Sequence, residues 1–393
     1  MTAWHDAWNG LSKRLGLCLA VSPFGSVAWP AKLPLTVGLG ALLALFLPAA
    51  DATSRWTLEQ KMQLFRDGAL RGFALAERPA SGDGIYTESD FKDLASTGAN
   101  VVRVPIQLRK CAGCEKYDAP EKDIGYAEQV LRRGERYGLR VIVVLLATPW
   151  GNESDYWNNE LLKADIVKQW GQVALRLKGF AALQAYDLIN EPVVPGASRE
   201  SGLQQWHRLA TQIARELRAV DPDTPLMFEP TPWALPGSFW QAEPLAVKGV
   251  VYSFHFYAPH EFTHQGLPGY PNTLDYPNTR WDKARLSQEL QEARKFALLH
   301  SVPLFVGEFS CARWAPAESC PRYLADALAL FEAERWGWAY HCWRCYHGWD
   351  AEVPQAVPQA QRSGYLPQYR RSDSPRMMLL KKALRNNRSA QAR

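Results

Sequence analysis

The sequence predicts an α/β protein of the (β/α)8 TIM-barrel class. Three observations carry that expectation. Apolar, strand-like runs recur from residue 71 to residue 344, most of them continuous, as parallel strands buried on both faces require. Segments of helical period separate them. No G-x-G-x-x-G follows the first run, which argues against an open, doubly wound sheet. At 393 residues, with 47% hydrophobic and 22% charged, the chain is globular and has ample material for one large core. It contains no repeat or low-complexity linker, so residues 53–393 are read as a single domain.

Along the chain, residues 33–52 come first, with the apolar length of a signal peptide. Ala50-Asp51-Ala52 would serve as the cleavage site. The stretch is short and proline-bounded for a membrane span, so an uncleaved anchor is the rival reading. Export, secreted or periplasmic, with a mature chain from near Thr53 is the expectation. The 32 residues ahead of the stretch are long for a leader. A true start near Val27 would explain them, and N-terminal sequencing of the precursor tests it. Cys18 falls in this segment. The other cysteines form sequence-local pairs, Cys111/Cys114, Cys311/Cys320 and Cys342/Cys345, which in an exported protein read as disulfides rather than as a zinc site.

The strand candidates follow at 71–76, 101–106, 140–147, 183–190, 225–230, 249–257, 302–309 and 337–344. Helices are expected at 125–138, 200–220, 282–300 and 320–337, several closed by glycine or Asp-Pro. The C-terminal basic residues, Arg370, Arg371, Arg376, Lys381, Lys382, Arg385, Arg388 and Arg393, are read as the solvated face of a last helix with a frayed tail. With a net charge of only +5 and no stacking motif, a nucleic-acid partner is not expected.

In such barrels, residues at the C-terminal ends of strands converge on one face. Here those ends carry Arg103 on strand 2, Asn190 and Glu191 on strand 4, His255 and Tyr257 on strand 6, Glu308 on strand 7 and Trp343 on strand 8. Two facing carboxylates are costly unless the site uses them. A retaining glycosidase needs such a pair about 5–5.5 Å apart, one attacking the anomeric carbon and the other shuttling the proton. Arg103 and the Tyr257 hydroxyl would hold Glu308 ionised as the nucleophile. The negative charge of Glu308 would keep Glu191 protonated as the acid. Asn190 would donate to a sugar 2-hydroxyl.

With "VVRVPI", "LINEP", "SFHFY", "VGEFS" and an aromatic strand 8 in that order, residues from about 70 to 350 resemble glycoside hydrolase family 5, the family that contains cellulases. The resemblance implies a retaining mechanism without a cofactor, with Glu191 as acid/base and Glu308 as nucleophile. Two positions depart from the family pattern. Leu146 stands where many members end strand 3 with histidine. His341 stands where a tryptophan often follows the strand 8 aromatic matched by Tyr340, and Trp343 comes two residues later.

With 16 tryptophans in the chain, Trp150, Trp157, Trp233, Trp314 and Trp349 fall in the loops after strands 3, 5, 7 and 8. Trp150 and Trp233, with Trp343, are the candidates for stacking on sugar faces; loop packing is the competing use. His260 and His264 have no accompanying carboxylate motif, so no metal is expected. No H-x-H ends strand 1, which disfavours a metal-dependent barrel hydrolase. The function expected is an endo-β-1,4-glucanase acting on a polysaccharide or oligosaccharide, with no lasting membrane partner. The alternatives are a relative cleaving another β-glycan, such as mannan or an exopolysaccharide, and a catalytically silent glycan-binding barrel.

Overall fold

The computed structural model describes residues 56–391 apart from 79–85, 108, 111–116, 119–120, 147–155, 268, 272, 317 and 358–365. The export segment, Cys111, Cys114 and Trp150 lie outside the described residues. Eight parallel strands close into a barrel: β1 (Arg71–Ala74), β2 (Val101–Gln107), β3 (Arg140–Leu146), β4 (Leu183–Asp187), β5 (Leu226–Phe228), β6 (Val250–Phe256), β7 (Leu304–Phe309) and β8 (Gly337–His341). Seven fall inside the expected runs and β2 passes its run by one residue, Gln107, because uninterrupted Val, Ile, Leu and Phe suit a strand covered on both faces.

A short helix, α1 (Leu58–Arg66), opens the described chain, capped reciprocally by Thr57 and Gln60. Its Met62 and Phe65 close the N-terminal end of the barrel. They pack on a layer of Val101, Ile142, Ala185, Met227, Val251, Phe305 and Ala339, one inward residue from each of β2 to β8, with Leu70 just ahead of β1. The barrel interior is therefore apolar at one end and leaves its polar residues for the other.

The outer helices are α2 (Glu88–Ser96), α3 (Glu121–Tyr137), α4 (Glu160–Leu177), α5 (Arg199–Val220), the single turn α6 (His260–Thr263), α7 (Lys283–Glu289), α8 (Gln291–His300), α9 (Ser319–Ala333) and α10 (Pro375–Gln391). The helix expected over 282–300 is broken at Leu290. The Ser287 carbonyl there accepts from the Leu290 amide at 3.3 Å and from Arg294 Nη1 at 2.6 Å, so the helical ladder gives way to a tighter turn. A two-stranded ribbon, Arg109–Lys110 with Tyr117–Asp118, had no signal in the hydrophobic pattern.

The basic C-terminal helix corrects its expected role in part. Arg376 is buried and donates to the main-chain oxygens of Cys311 at 3.0 Å, Asp350 at 2.7 Å and Val353 at 2.8 Å. With Met377, Leu380 and Leu384 in the core, α10 ties down the loop after β8. Lys381 and Arg385 do lie on less buried positions. Cys311 and Cys320, and likewise Cys342 and Cys345, are paired with Cα atoms 5.8 Å apart, within bridging reach.

Candidate active site

Alternation places Ala185 and Asp187 of β4 toward the barrel interior, and the same period aims Met227 of β5 and Glu229, just past its end, inward. On β7 this rule would turn Glu308 outward. A bulge prevents that: the register pairs Phe254 with Val306 but His255 with Glu308, skipping Gly307. The skipped residue must be glycine, because a Cβ there would lie 2.5 Å from Ser253 Oγ and 3.0 Å from His255 Nε2. The bulge re-aims the carboxylate into the mouth.

Arg103 organises the buried charges. Its Nε donates to Asp187 Oδ2 at 2.9 Å and its Nη1 to Glu308 Oε1 at 2.8 Å. Its Nη2 donates to Asn190 Oδ1 at 2.9 Å and Glu229 Oε1 at 2.7 Å. Because the Asn190 oxygen is engaged by Arg103, its amide nitrogen is left to donate elsewhere. Tyr257 donates to Glu308 Oε2 at 2.9 Å.

Glu191 follows β4 with φ 44°, a left-handed conformation that costs a non-glycine residue about 1–2 kcal/mol. Its amide is pinned by donation to Glu229 Oε2 at 2.6 Å. Its Oε1 lies 2.6 Å from His255 Nδ1. On the other side of that ring, Nε2 is 3.0 Å from Glu229 Oε1 but poorly aligned for a hydrogen bond, so the attraction there is electrostatic.

Burial opposes a charge on His255, but Glu229 and Glu308 outweigh it and hold the imidazole well above its usual range. Burial likewise raises Glu308, yet His255, His341, Arg103 and the Tyr257 hydrogen bond together bring it down to about 2. For Glu191, burial is the largest influence and raises the carboxyl; Glu308 and Glu229 add to this against the pull of His255. Asp187 is pushed well up by burial and Glu229. Two cations, Arg103 and His255, thus face two carboxyls held toward their ionised forms, Glu229 and Glu308, while the surroundings of Asp187 and Glu191 favour the proton.

A carboxylate oxygen of Glu191, a ring nitrogen of His255 and a carboxylate oxygen of Glu308 all lie within 4.8 Å of one another. Such a spacing would admit a cation, but both oxygens of Glu308 already accept protein hydrogen bonds and both ring nitrogens of His255 face carboxylates. Glu191 and Glu308 remain 28% and 12% exposed, so the pair opens to the cleft.

Residues 60–346 match the profile of Cellulase (glycosyl hydrolase family 5). The chain belongs to this family. It is a retaining glycoside hydrolase of the endo-β-glucanase kind. Among its relatives, Endoglucanase C of Acetivibrio thermocellus is 23% identical over 285 residues, covering 64% of this chain and 81% of that protein. The fold is shared with Thermotoga maritima Cel5A. A structure of that protein with cellobiose superposes with a TM-score of 0.65 at 19% identity, over 81% of this chain and 98% of that one. Another, with mannotriose, gives 0.63 at 20%, over 81% and 99%.

Within this hydrolase, Arg103, Asn190, Glu191, His255, Tyr257 and Glu308 lie together at the barrel mouth. Trp233 is half-buried in the loop after β5, its amide donating to the Pro192 carbonyl beside Glu191. Trp343 does not reach the cleft. It is 2% exposed, tilted against Phe73 and covered by the Arg344 guanidinium, because its amide is tied to the Ala74 carbonyl at 2.9 Å. The β8 side chain beside Glu308 is instead His341, Nδ1 to Oε2 3.5 Å. Trp157 is core, packed on Tyr156 and Trp206. Trp349 is buried against Tyr257 and His264, and Trp314 packs on His347. His260 and His264 stack on each other, and their rings approach Tyr257. Asp187 and Glu229 were missed. The signal for Glu229 was present: "FEP" on strand 5 repeats the Glu-Pro strand ending of "NEP" on strand 4.

Proposed function

We propose that this family 5 hydrolase is an endo-acting β-1,4-glucanase in which Glu308 is the nucleophile and Glu191 the acid/base. The observation that carries the reading is the opposed environment of two neighbouring carboxyls. One is held ionised by Arg103, His255 and Tyr257. The other has its proton favoured by burial and by its neighbours' negative charge. Their spacing, within 4.8 Å, suits double displacement rather than inversion, which needs room for a water.

His255, held as imidazolium, donates its Nδ1 proton to Glu191 Oε1, which leaves the transferable proton on Oε2. That proton passes to the leaving glycosidic oxygen while Glu308 closes on the anomeric carbon. Glu191, now ionised, takes a proton from water, and the resulting hydroxide equivalent displaces Glu308. The Asn190 amide supplies a hydrogen bond to the 2-hydroxyl, and Trp233 supplies an aromatic face beside the acid.

Glucan is favoured by the match to Endoglucanase C. A mannan is the second reading, since Thermotoga maritima Cel5A has been solved with both cellobiose and mannotriose. Residues 53–393 act as one domain, exported and oxidised at Cys311–Cys320 and Cys342–Cys345. No helix among the described residues is long and apolar enough to cross a membrane.

The test is hydrolysis of defined β-glycans with the product anomer followed by NMR. We expect the β-anomer first. Glu308→Ala should abolish turnover, and Glu191→Gln should slow it by about 10²–10⁴-fold on unactivated substrates. First appearance of the α-anomer, or parental rates in both variants, would refute these roles.

A further inference from the structure

His341 belongs to no part of the mechanism given above, yet it ends β8 at the barrel mouth, paired in register with Ala74. Its ring is held edge-on to Trp349. The chain just beyond is fixed by the Trp343 amide on the Ala74 carbonyl and by the Cys342–Cys345 pairing. The side chain is 29% exposed, so it can exchange protons with the cleft. Its Nδ1 is buried 3.5 Å from Glu308 Oε2 and has no hydrogen-bond partner among the described residues. That oxygen already accepts from Tyr257. No fixed contact therefore dictates the tautomer or protonation state of this imidazole.

We propose that His341 is a proton-responsive positioning residue: neutral, it leaves the Glu308 carboxylate free to attack, and protonated, it ion-pairs that carboxylate and restrains it. The proposal rests on Glu308 being the nucleophile. As Glu308 bonds to the anomeric carbon it loses its negative charge, so an imidazolium beside it loses its counter-ion in the transition state. The same cation repels the positive charge that develops on the sugar ring. Protonation of His341 therefore stabilises the resting enzyme against the transition state.

The groups facing His341 set when this happens. Glu308 of β7 attracts the proton. His255 of β6 and Arg103 of β2 repel it, while His264 after α6, held down to about 3 chiefly by burial, stays uncharged beside it. Burial is the largest influence and, with those cations, holds the group below its ordinary 6.5. Glu308 itself titrates only at about 2. The acid limb of kcat/KM, which reports the free enzyme, thus belongs to His341, and the basic limb to Glu191.

The experiment compares pH profiles of kcat/KM for the parent, His341→Gln and His341→Trp, neither of which carries a titrating group there. The acid midpoint should fall by at least about one pH unit in both variants, the size of effect a charge at this range has. An unchanged midpoint overturns the proposal.

A second measurement does not depend on those variants folding. The His341 imidazole is titrated by NMR in the parent and in Glu308→Gln, where loss of the carboxylate should lower its midpoint. If Glu308→Gln is inactive but His341 titrates as in the parent, this inference fails and the nucleophile assignment stands. If Glu308→Gln is active, the assignment itself fails.

Discussion

Arg103 shows how much a single side chain holds at this site. A planar guanidinium reaches four acceptors at once, on Asp187, Asn190, Glu229 and Glu308, which the point charge of a lysine cannot do. Arg103→Lys should leave buried carboxyl groups unpaired and destabilise the fold by about 3–5 kcal/mol, the cost of breaking a buried ion pair. Thermal unfolding would show it as a lowered Tm, together with reduced turnover. An unchanged Tm would mean that Arg103 serves only the substrate. At this scale the sequence disclosed residues whose chemistry is rare at strand ends: an arginine, an Asn-Glu-Pro, a glutamate after glycine. It did not disclose Asp187, because a carboxylate on an apolar strand declares its direction only once the strand's register is known, whereas Glu229 carried a signal in its Glu-Pro strand ending. Trp343 misled for a related reason. Two residues past the strand, its amide is captured by the neighbouring strand and its ring swings into the core.

Among the elements, the strands were legible and their irregularities were not. Continuous apolar runs located all eight, since burial on both faces leaves no other use for such segments. The bulge at Gly307 carries no hydrophobic signature, although it decides where Glu308 points. Gly307→Ala should therefore be harmful on both counts. The added methyl would meet Ser253 Oγ and His255 Nε2, a clash costing about 1–3 kcal/mol. Any relief by slipping the register would turn Glu308 away. We expect a lower Tm and a larger loss in kcat than in KM. Gly125→Ala in α3, where a Cβ meets nothing within 4 Å, should instead stabilise by about 0.5–1 kcal/mol. Equal effects of the two changes on Tm would show that the bulge tolerates a side chain. The break at Leu290 was hidden for the same kind of reason, since a guanidinium from the next helix supplies it.

For the whole molecule, the charge network couples folding to pH, and the signs can be assigned group by group. Glu308 is depressed from its ordinary 4.5 to about 2, so its contribution is complete above pH 4.5 and disappears as pH falls toward 2. His255 is raised above 6.5, so its contribution is complete below that pH and disappears as pH rises through the folded-state value. Glu191 and Asp187, both raised, work against Glu308: they favour the folded state more as acid is added. The parent curve mixes these opposing slopes, and a difference experiment separates them. Chemical denaturation of the parent and of Glu308→Gln, compared from pH 6 to pH 3, should show the parent's advantage narrowing as pH falls below about 4.5, by an amount on the order of 3 kcal/mol at most. Both proteins keep His255, Glu191 and Asp187, so first-order effects of those groups cancel in the difference. A constant gap across that range would mean that folding does not lower the Glu308 pKa. The barrel mouth would then hold its nucleophile by geometry alone, without the electrostatic bias that sets it apart from Glu191.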